Sequence, residues 1–514
     1  MNGAAAFAVV IGVMLTLCVA PLVVVLYRRA VLRVMQSGQS PATTIPSLNL
    51  GRPHVPLRIE PVERIKERSP LEARARKLRF TTLGIHLAAA VPLLAIVSLQ
   101  YTLTAEENNA TYLVLSTVFA CFATAMIPVA ATVGVGTRRF RMWLIPAFIA
   151  ATGLLWFYPQ KVAALLVTML VLPPILILLL IANRWLKTTA PMLFIVPIFV
   201  TIGALITPFL AFAGLALGVL GVRFFVRRYV DKRTSDQMLL IDVYWALVCI
   251  FHATMQLGQS RYWWLSIAAF CGYKGTQLAL MPIVVHTVRG RPPAQLLLLR
   301  VFGSQKRSEE LIDEIGIRWR YLGPIHIICG TDVATADLDP AELWEFLKWR
   351  THDLSVRDER DLNLRLAALD IAPDPDGRYR VNDFICRADT WKMTVVRLLD
   401  RCDAVLLDVR GFTQANRGVV YELRKLLGGK PLESIVLLGD DSTNEPDLLK
   451  TIQEAWQSVD PASFNATLRE PKLRLLRVHG GGFDASRVMR ALCLAATQGV
   501  TAASRMPVAA TVRA

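Results

Sequence analysis

The amino-acid sequence describes a polytopic α-helical membrane domain followed by a cytoplasmic α/β domain with a mainly parallel sheet. Apolar runs of about 20 residues, the length a bilayer crossing needs, recur through the first 290 or so residues. Lys and Arg gather at alternate connections between these runs. After Pro293 the pattern changes to short apolar runs separated by helical periodicity.

Composition agrees with this division. Hydrophobic residues make up 54% of the 514 and charged residues 19%, a departure from soluble averages that long apolar stretches explain. A net charge of +17 would suit nucleic acid, but the cations lie beside the apolar runs, as membrane topology requires, so no nucleic-acid partner is expected. Of eight cysteines, Cys18, Cys121, Cys249 and Cys271 fall in apolar runs and Cys329, Cys386, Cys402 and Cys493 after them. None forms a CxxC pair and no His stands at ligand spacing, so neither a metal site nor a disulfide framework is expected.

The first span, 4–27 in a segment 1–30, lacks a basic leader and is followed by Arg28, Arg29 and Arg33, which puts the N-terminus outside. Within 80–290 further spans fall at 81–103, 112–135, 142–158, 162–183, 238–257 and 262–287. Residues 190–222 are too long for one crossing and have cations at both ends, so they divide near Thr207-Pro208 into two, with one long or re-entrant segment as the alternative. Nine crossings result. On this count the inner side holds the Arg138-Arg139-Phe140-Arg141 cluster, Arg184 with Lys187, Arg223 to Arg233, and Arg289 with Arg291. The outer side holds Glu106-Glu107, Lys161 and Arg261. The positive-inside rule then sets residues 291–514 in the cytoplasm of a cell that carries the chain in its plasma or inner membrane.

Residues 31–79 read as a basic cytoplasmic linker. Five prolines from Pro41 to Pro61 predict an irregular first part, and the charged run from Glu60 to Arg79 predicts an amphipathic helix against anionic headgroups, or else a solvated helix. Inside the spans, Lys274 and Gln277 share a helix face, and Asp242, His252 and Gln256 lie on the preceding span. Intramembrane ionisable groups mark function by default. The alternative is that they satisfy one another between packed helices or snorkel.

Beyond Pro293 the strands expected are Leu296 to Phe302, Gly323 to Cys329, Tyr379 to Phe384, Ala404 to Val409, Ser434 to Leu438 and Leu473 to Val478. Helical patterns at 308–321, 391–401, 417–427, 445–458 and 485–496 alternate with them, and an irregular helical stretch covers 339–370. Nearly all-apolar strands separated by helices indicate a parallel sheet covered on both faces, with ligands bound beyond the carboxyl ends.

The order Val301-Phe-Gly-Ser304, apolar strand, Trp391 helix, Cys402-Asp-Ala-Val-Leu-Leu-Asp408-Val strand and Gly418-Val-Val-Tyr-Glu422-Leu423 resembles the Toll/interleukin-1-receptor (TIR)-like and nucleoside 2-deoxyribosyltransferase-like group over residues 295–440. The resemblance implies a TIR-like, flavodoxin-like sheet, NAD or a nucleotide as ligand, and Glu422 as the acid that works on the ribose. Such chemistry is sound: cleaving an N-glycosidic bond develops positive charge that one carboxylate can stabilise or attack. Asn416 stands where the transferases carry an acid, and the insert 331–389 replaces their binding loop. Ser304, Asp408, Arg410 and Asn416 are the ligand-binding candidates, although Ser and Asp at strand ends commonly just close turns. For Glu422 the alternative is a first-turn acid favoured by the helix dipole. His479-Gly-Gly-Gly482 has no nucleophile elbow to serve, and Gly428-Gly-Lys430 lacks phosphate-loop spacing.

Three functions are thereby expected in order: a membrane-anchored binding or signalling module, a membrane-tethered NAD or nucleoside N-glycosidase using Glu422, and a transporter regulated by its cytoplasmic domain.

Overall fold

A computed structural model describes residues 22–23, 25–36, 55–62, 69–104, 210–256, 261–288, 292–301, 305–329, 340–414, 416–478 and 484–503. Helical residues 25–36 are followed by α1 (Pro70–Thr104), α2 (Leu210–Val230), α3 (Asp236–Gln256), α4 (Leu265–Leu280) and α5 (Pro282–Val288). Proline opens α1, where its missing N–H would be unpaired anyway, and Pro282 separates α4 from α5. The expected spans at 112–135, 142–158 and 162–183, and residues 190–209 of the divided run, lie outside the described residues.

Helices α1 and α4 lie side by side because Gly272 leaves room. A Cβ there would stand 3.3 Å from the Pro92 Cβ. Ala89, Leu93, Ile241, Trp245, Ala269 and Tyr273 fill the seam with α3. At its far end the Gln100 amide donates to the Tyr262 carbonyl (3.0 Å) and accepts from the Ser266 hydroxyl (3.0 Å). Two described stretches, Pro70–Ile96 and Leu265–Val288, are long and apolar enough to cross a membrane. The outward faces are greasy as well: α2 exposes Phe212, Leu217, Leu220 and Phe224.

The sheet domain is built on eight strands, β1 (Arg58–Pro61), β2 (Leu296–Arg300), β3 (Ile325–Cys329), β4 (Ser355–Val356), β5 (Val381–Cys386), β6 (Ala404–Asp408), β7 (Ile435–Asp440) and β8 (Lys472–Val478). They form one sheet in the order β1-β8-β7-β6-β2-β3-β5-β4, and every pairing is parallel. Helices α6 (Gln305–Trp319), α7 (Pro340–Leu347), α8 (Glu359–Ala367), α9 (Trp391–Leu399), α10 (Arg417–Gly429), α11 (Glu445–Gln457) and α12 (Ala485–Ala503) connect and cover them. One face is packed by α6 and α12 through Leu311, Trp319, Val488 and Leu492. The other is packed by α8 to α11 through Leu362, Leu398, Leu426 and Trp456. Burial on both sides is why β2, β6 and β7 are nearly continuous apolar runs.

From β2 onward six strands follow the doubly wound order 3-2-1-4-5-6, which reverses direction between β2 and β6. The flavodoxin-like order 2-1-3-4-5 holds for β2, β3, β6, β7 and β8 when the strands of the insert, β4 and β5, are set aside. Strands β2 and β3 enter the sheet together, with Ala294 N–H donating to the Leu322 carbonyl (3.1 Å). A Cβ on Gly323 would meet the Ala294 carbonyl group, its carbon 2.6 Å away. Gly323→Ala is therefore expected to cost about 3 kcal/mol by overpacking against rigid backbone, read as a lower unfolding midpoint of the full chain in detergent.

The linker reading needs correction. Residues 58–61 are not irregular chain but an edge strand beside β8, with Arg58 N–H donating to Pro471 O (2.9 Å) and Val62 N–H to Leu475 O (2.9 Å). Ile59 packs on the core while Arg58 and Glu60 flank it, and Pro61 is tolerated because an edge strand needs fewer N–H groups. Of the charged run expected to form an amphipathic helix, residues 63–68 lie outside the described residues, and from Pro70 the chain is in α1, whose Ala75 and Leu78 join the core over α6 and α12. The sheet domain thus draws on residues well before 291.

Candidate functional site

The winding reversal brings the carboxyl ends of β2 and β6 together, with Arg300 in register with Asp408. The Asp408 carboxylate accepts from Arg410 Nε (2.8 Å), Arg410 Nη2 (2.7 Å) and the Arg410 backbone N–H (3.1 Å). This fork-like, largely buried pair closes the loop on itself. Asn416 Oδ1 accepts from the Thr413 N–H (2.8 Å) and hydroxyl (3.1 Å), bracing the same loop as it enters α10. Asp408, Arg410 and Asn416 therefore do converge at one end of the sheet, where these hydrogen bonds shape a turn. Ser304 lies outside the described residues.

Glu422 sits among Val419, Leu423 and Leu426 on the inward stripe of α10 and is 2% exposed. Its Oε2 has no hydrogen-bond partner among the described residues. Burial pushes its carboxyl up to about 8, with the Arg300 guanidinium opposing. At neutral pH the group is thus a neutral acid in the core. Two expectations change with that finding. It is no first-turn acid at the helix dipole, and in this conformation it is neither ionised nor exposed to a ribose.

Five of the polar groups on the helices come together. Lys274 donates to the Asp242 carboxylate and to Gln277 Oε1 (2.6 Å), and the Tyr273 hydroxyl donates to Asp242 Oδ1 (3.3 Å). Gln277 Nε2 donates to the Tyr273 oxygen (3.0 Å) and reaches His86 Nδ1 (3.5 Å). The side chain of His252 lies outside the described residues. His86 escaped sequence reasoning, although a lone imidazole in the 81–103 run was its signal.

Among the described residues a larger polar assembly joins the helices to the sheet domain. The turn Asp374-Pro375-Asp376-Gly377 is seated against α1, the α2–α3 connection and α5. Asp376 Oδ2 accepts from the Ser235 hydroxyl (2.5 Å), and its carbonyl accepts from the Thr82 hydroxyl (3.1 Å). Lys232 pairs with Asp370 (2.6 Å) and Asp374 (3.2 Å), and Arg380 pairs with Asp374 (2.9 Å) while lying 3.7 Å over the Tyr229 ring. Asp236 accepts from Arg320 (2.8 Å) and Arg378 (3.1 Å). Burial alone would raise the Asp236 carboxyl, but the two guanidiniums overcome it and hold it below the usual carboxylate range. Gly377 has φ +79°, and a Cβ there would stand 2.5 Å from Val284 Cγ1.

No protein-family model, curated protein or solved structure matches this chain. The resemblance of residues 295–440 to the TIR-like group accordingly rests on its motifs alone. Among the described residues no three His, Cys, Asp or Glu side chains gather as a metal site. A crevice of about 160 Å³ at the carboxyl ends of β7 and β8 is lined by Asp440, Thr443, Glu445 and Arg477. It is smaller than ordinary ligand pockets of roughly 300–1,000 Å³, and Asp440 already accepts from the Ser442 N–H (3.0 Å) within its own turn.

Proposed function

We propose that the chain is a multi-pass membrane protein whose cytoplasmic α/β domain is a docked binding or signalling module rather than a catalyst. The observation that carries this reading is the seating of the 374–377 turn, which engages Thr82, Ser235 and Lys232 at one end of the helices, while Arg378 just after it pairs with Asp236. A tethered passenger enzyme needs no such joint. A module that reports on the helices, or acts on them, needs one with defined geometry. Support for the bilayer comes from the two apolar stretches long enough to cross it and from the outward Phe212, Leu217 and Leu220. The cations near the joint, Arg227, Arg228, Lys232 and Arg233, fit the inner side of a plasma or inner membrane, with anionic headgroups as neighbours and the N-terminus outside.

The test uses the full chain in sealed membranes of known sidedness, with a protease site introduced between residues 289 and 292. Cleavage from the cytoplasmic face should leave the C-terminal fragment on washed membranes, held by the joint and by β1. Release of the fragment by mild salt would reject docking, and cleavage only from the outer face would reject the orientation.

The second reading is the N-glycosidase, favoured by the Glu422 oxygen near the winding reversal that has no partner among the described residues. Incubating the same protein with NAD and with nucleosides decides it. No base release is expected. Release that Glu422→Ala abolishes would establish the enzyme instead.

A further inference from the structure

The polar cluster between α1, α3 and α4 does more than pair charges. Its only carboxylate among the described residues, Asp242, already carries a built-in cation in Lys274, and the remaining members are an amide, a phenol and an imidazole. Divalent metals ask for several oxygen ligands or soft donors, which this set lacks. What it offers instead is a chain of groups that accept, donate and exchange hydrogen. The Gln277 amide donates toward His86 Nδ1, so the network assigns the imidazole hydrogen to Nε2. That nitrogen is buried and has no partner among the described residues. At the other end, the Lys274 and Asp242 side chains keep 25% and 10% of their surface exposed, so the chain has an outer mouth and a sealed inner end.

The same helices that hold the cluster also hold the joint. On α1, His86 lies one turn beyond Thr82, the donor to the Asp376 carbonyl. On α3, Asp242 lies about two turns beyond Ser235, the donor to the Asp376 carboxylate. The charged and titratable groups facing the cluster are Asp242 from α3, Tyr273 and Lys274 from α4, His86 from α1, and Arg378 from the chain following the turn, whose guanidinium acts on His86.

We propose that Asp242, Lys274, Tyr273, Gln277 and His86 form a proton-binding site, with the Asp242 carboxylate as acceptor and the 374–377 turn as its reporter. A proton from water adds to Asp242. The Lys274 ammonium then loses its counter-charge and retains only Gln277, a state that a buried pair resists and relieves by shifting α3 against α4. Because Ser235 caps the start of α3 and Thr82 rides on α1, that shift reaches Asp376. Only the relay rests on the docked-module reading above. Proton binding does not require it.

The experiment takes the full chain in lipid nanodiscs with aspartate carbon-13-labelled at its side-chain carboxyl, and records infrared difference spectra on acidification. A protonated-carboxyl band at the labelled position is expected in the parent. The other aspartates contribute equally to parent and variants. In the parent-minus-variant difference Asp242→Asn should therefore lack the Asp242 part of that band, and Asp242→Glu, which keeps the acid, should move that part to the unlabelled position. Lys274→Met should displace the midpoint by about tenfold or more in proton concentration. Spectra from Asp242→Asn and Asp242→Glu indistinguishable from the parent's would overturn the site and leave a structural ion pair. In parallel, the amides of residues 374–378 should lose protection on acidification in the parent, read as extra exchange once each rate is divided by the intrinsic rate at that pH. Asp374 and Asp376 titrate in every variant, so loss of the extra exchange in Asp242→Asn assigns it to the cluster. A titrating band without that loss overturns the relay. Neither result depends on the sidedness of the membrane.

Discussion

Asp236→Ala is expected to undock the sheet domain and to cost about 3–5 kcal/mol, the range found when one partner of a buried ion pair is removed. Arg320 and Arg378 both converge on this carboxylate, at 2.8 and 3.1 Å, from side chains that are themselves only 12% and 11% exposed. Without it two buried guanidiniums face each other with less to neutralise them. Arg320 keeps the Tyr379 carbonyl (2.6 Å) and Arg378 keeps Gln237 Oε1 (2.5 Å), which limits the loss but not the repulsion. Scanning calorimetry of the full chain should show one transition in the parent and a separate, lower transition for the sheet domain in the variant. A compensated protein sharpens the test. Replacing the trio together, Asp236→Leu with Arg320→Met and Arg378→Met, should recover much of the stability, because apolar groups of similar volume often replace a buried ion cluster at little cost. A single unshifted transition in Asp236→Ala would show that the joint contributes nothing to docking.

Glu422→Gln should stabilise the protein in a pH-dependent manner. The folded carboxyl titrates near 8 against an ordinary 4.5, so between those values the unfolded chain has released a proton that the folded chain retains. Stability must then fall as pH rises through that window. The loss amounts to about 3 kcal/mol at pH 7 and about 4–5 kcal/mol above pH 8. Glutamine mimics the neutral acid and escapes the penalty. Below about pH 4.5 both proteins carry a neutral group at position 422 and their unfolding midpoints should coincide. Above it the parent should decline and the variant stay flat with respect to this group. Parallel profiles would mean that Glu422 is hydrated or paired, and would reopen the case for its chemistry.

Much of the sheet was legible because its strands are extreme. Leu296 to Leu299, Ala404 to Leu407 and Ile435 to Leu438 have no polar residue, and only a strand covered on both faces has that pattern. β1 was hidden for the opposite reason. Arg58-Ile-Glu-Pro61 is a charged edge strand ending in proline, the composition that edges use to discourage further pairing and that linkers share. Two-residue β4 is too short for any periodicity.

The polar sites divide in the same manner. Lys274 and Asp242 drew notice because a charge within an apolar run is costly wherever it ends up, and their pairing follows from neighbouring helices. The joint could not be read so. Lys232 and Asp236 look like part of a positive-inside loop, Asp374 to Gly377 like a surface turn, and nothing local states that one fills the other. Glu422 was visible as chemistry but not as depth, since the spacing Val419, Leu423, Leu426 marks a buried stripe that an acid in its midst does not advertise.

The β1 strand has a further consequence for how the protein is made. A ribosome delivers Arg58–Pro61 long before the Lys472–Val478 strand it must accompany. Through that interval the early segment waits without its neighbour, and when β8 emerges its outer rim stays open until the two meet. A truncated gene beginning after the last apolar helix would leave that rim bare, an invitation to chain-to-chain stacking. Soluble expression of the C-terminal half should improve when residues 55–62 are supplied, in cis through a short linker or as a separate peptide.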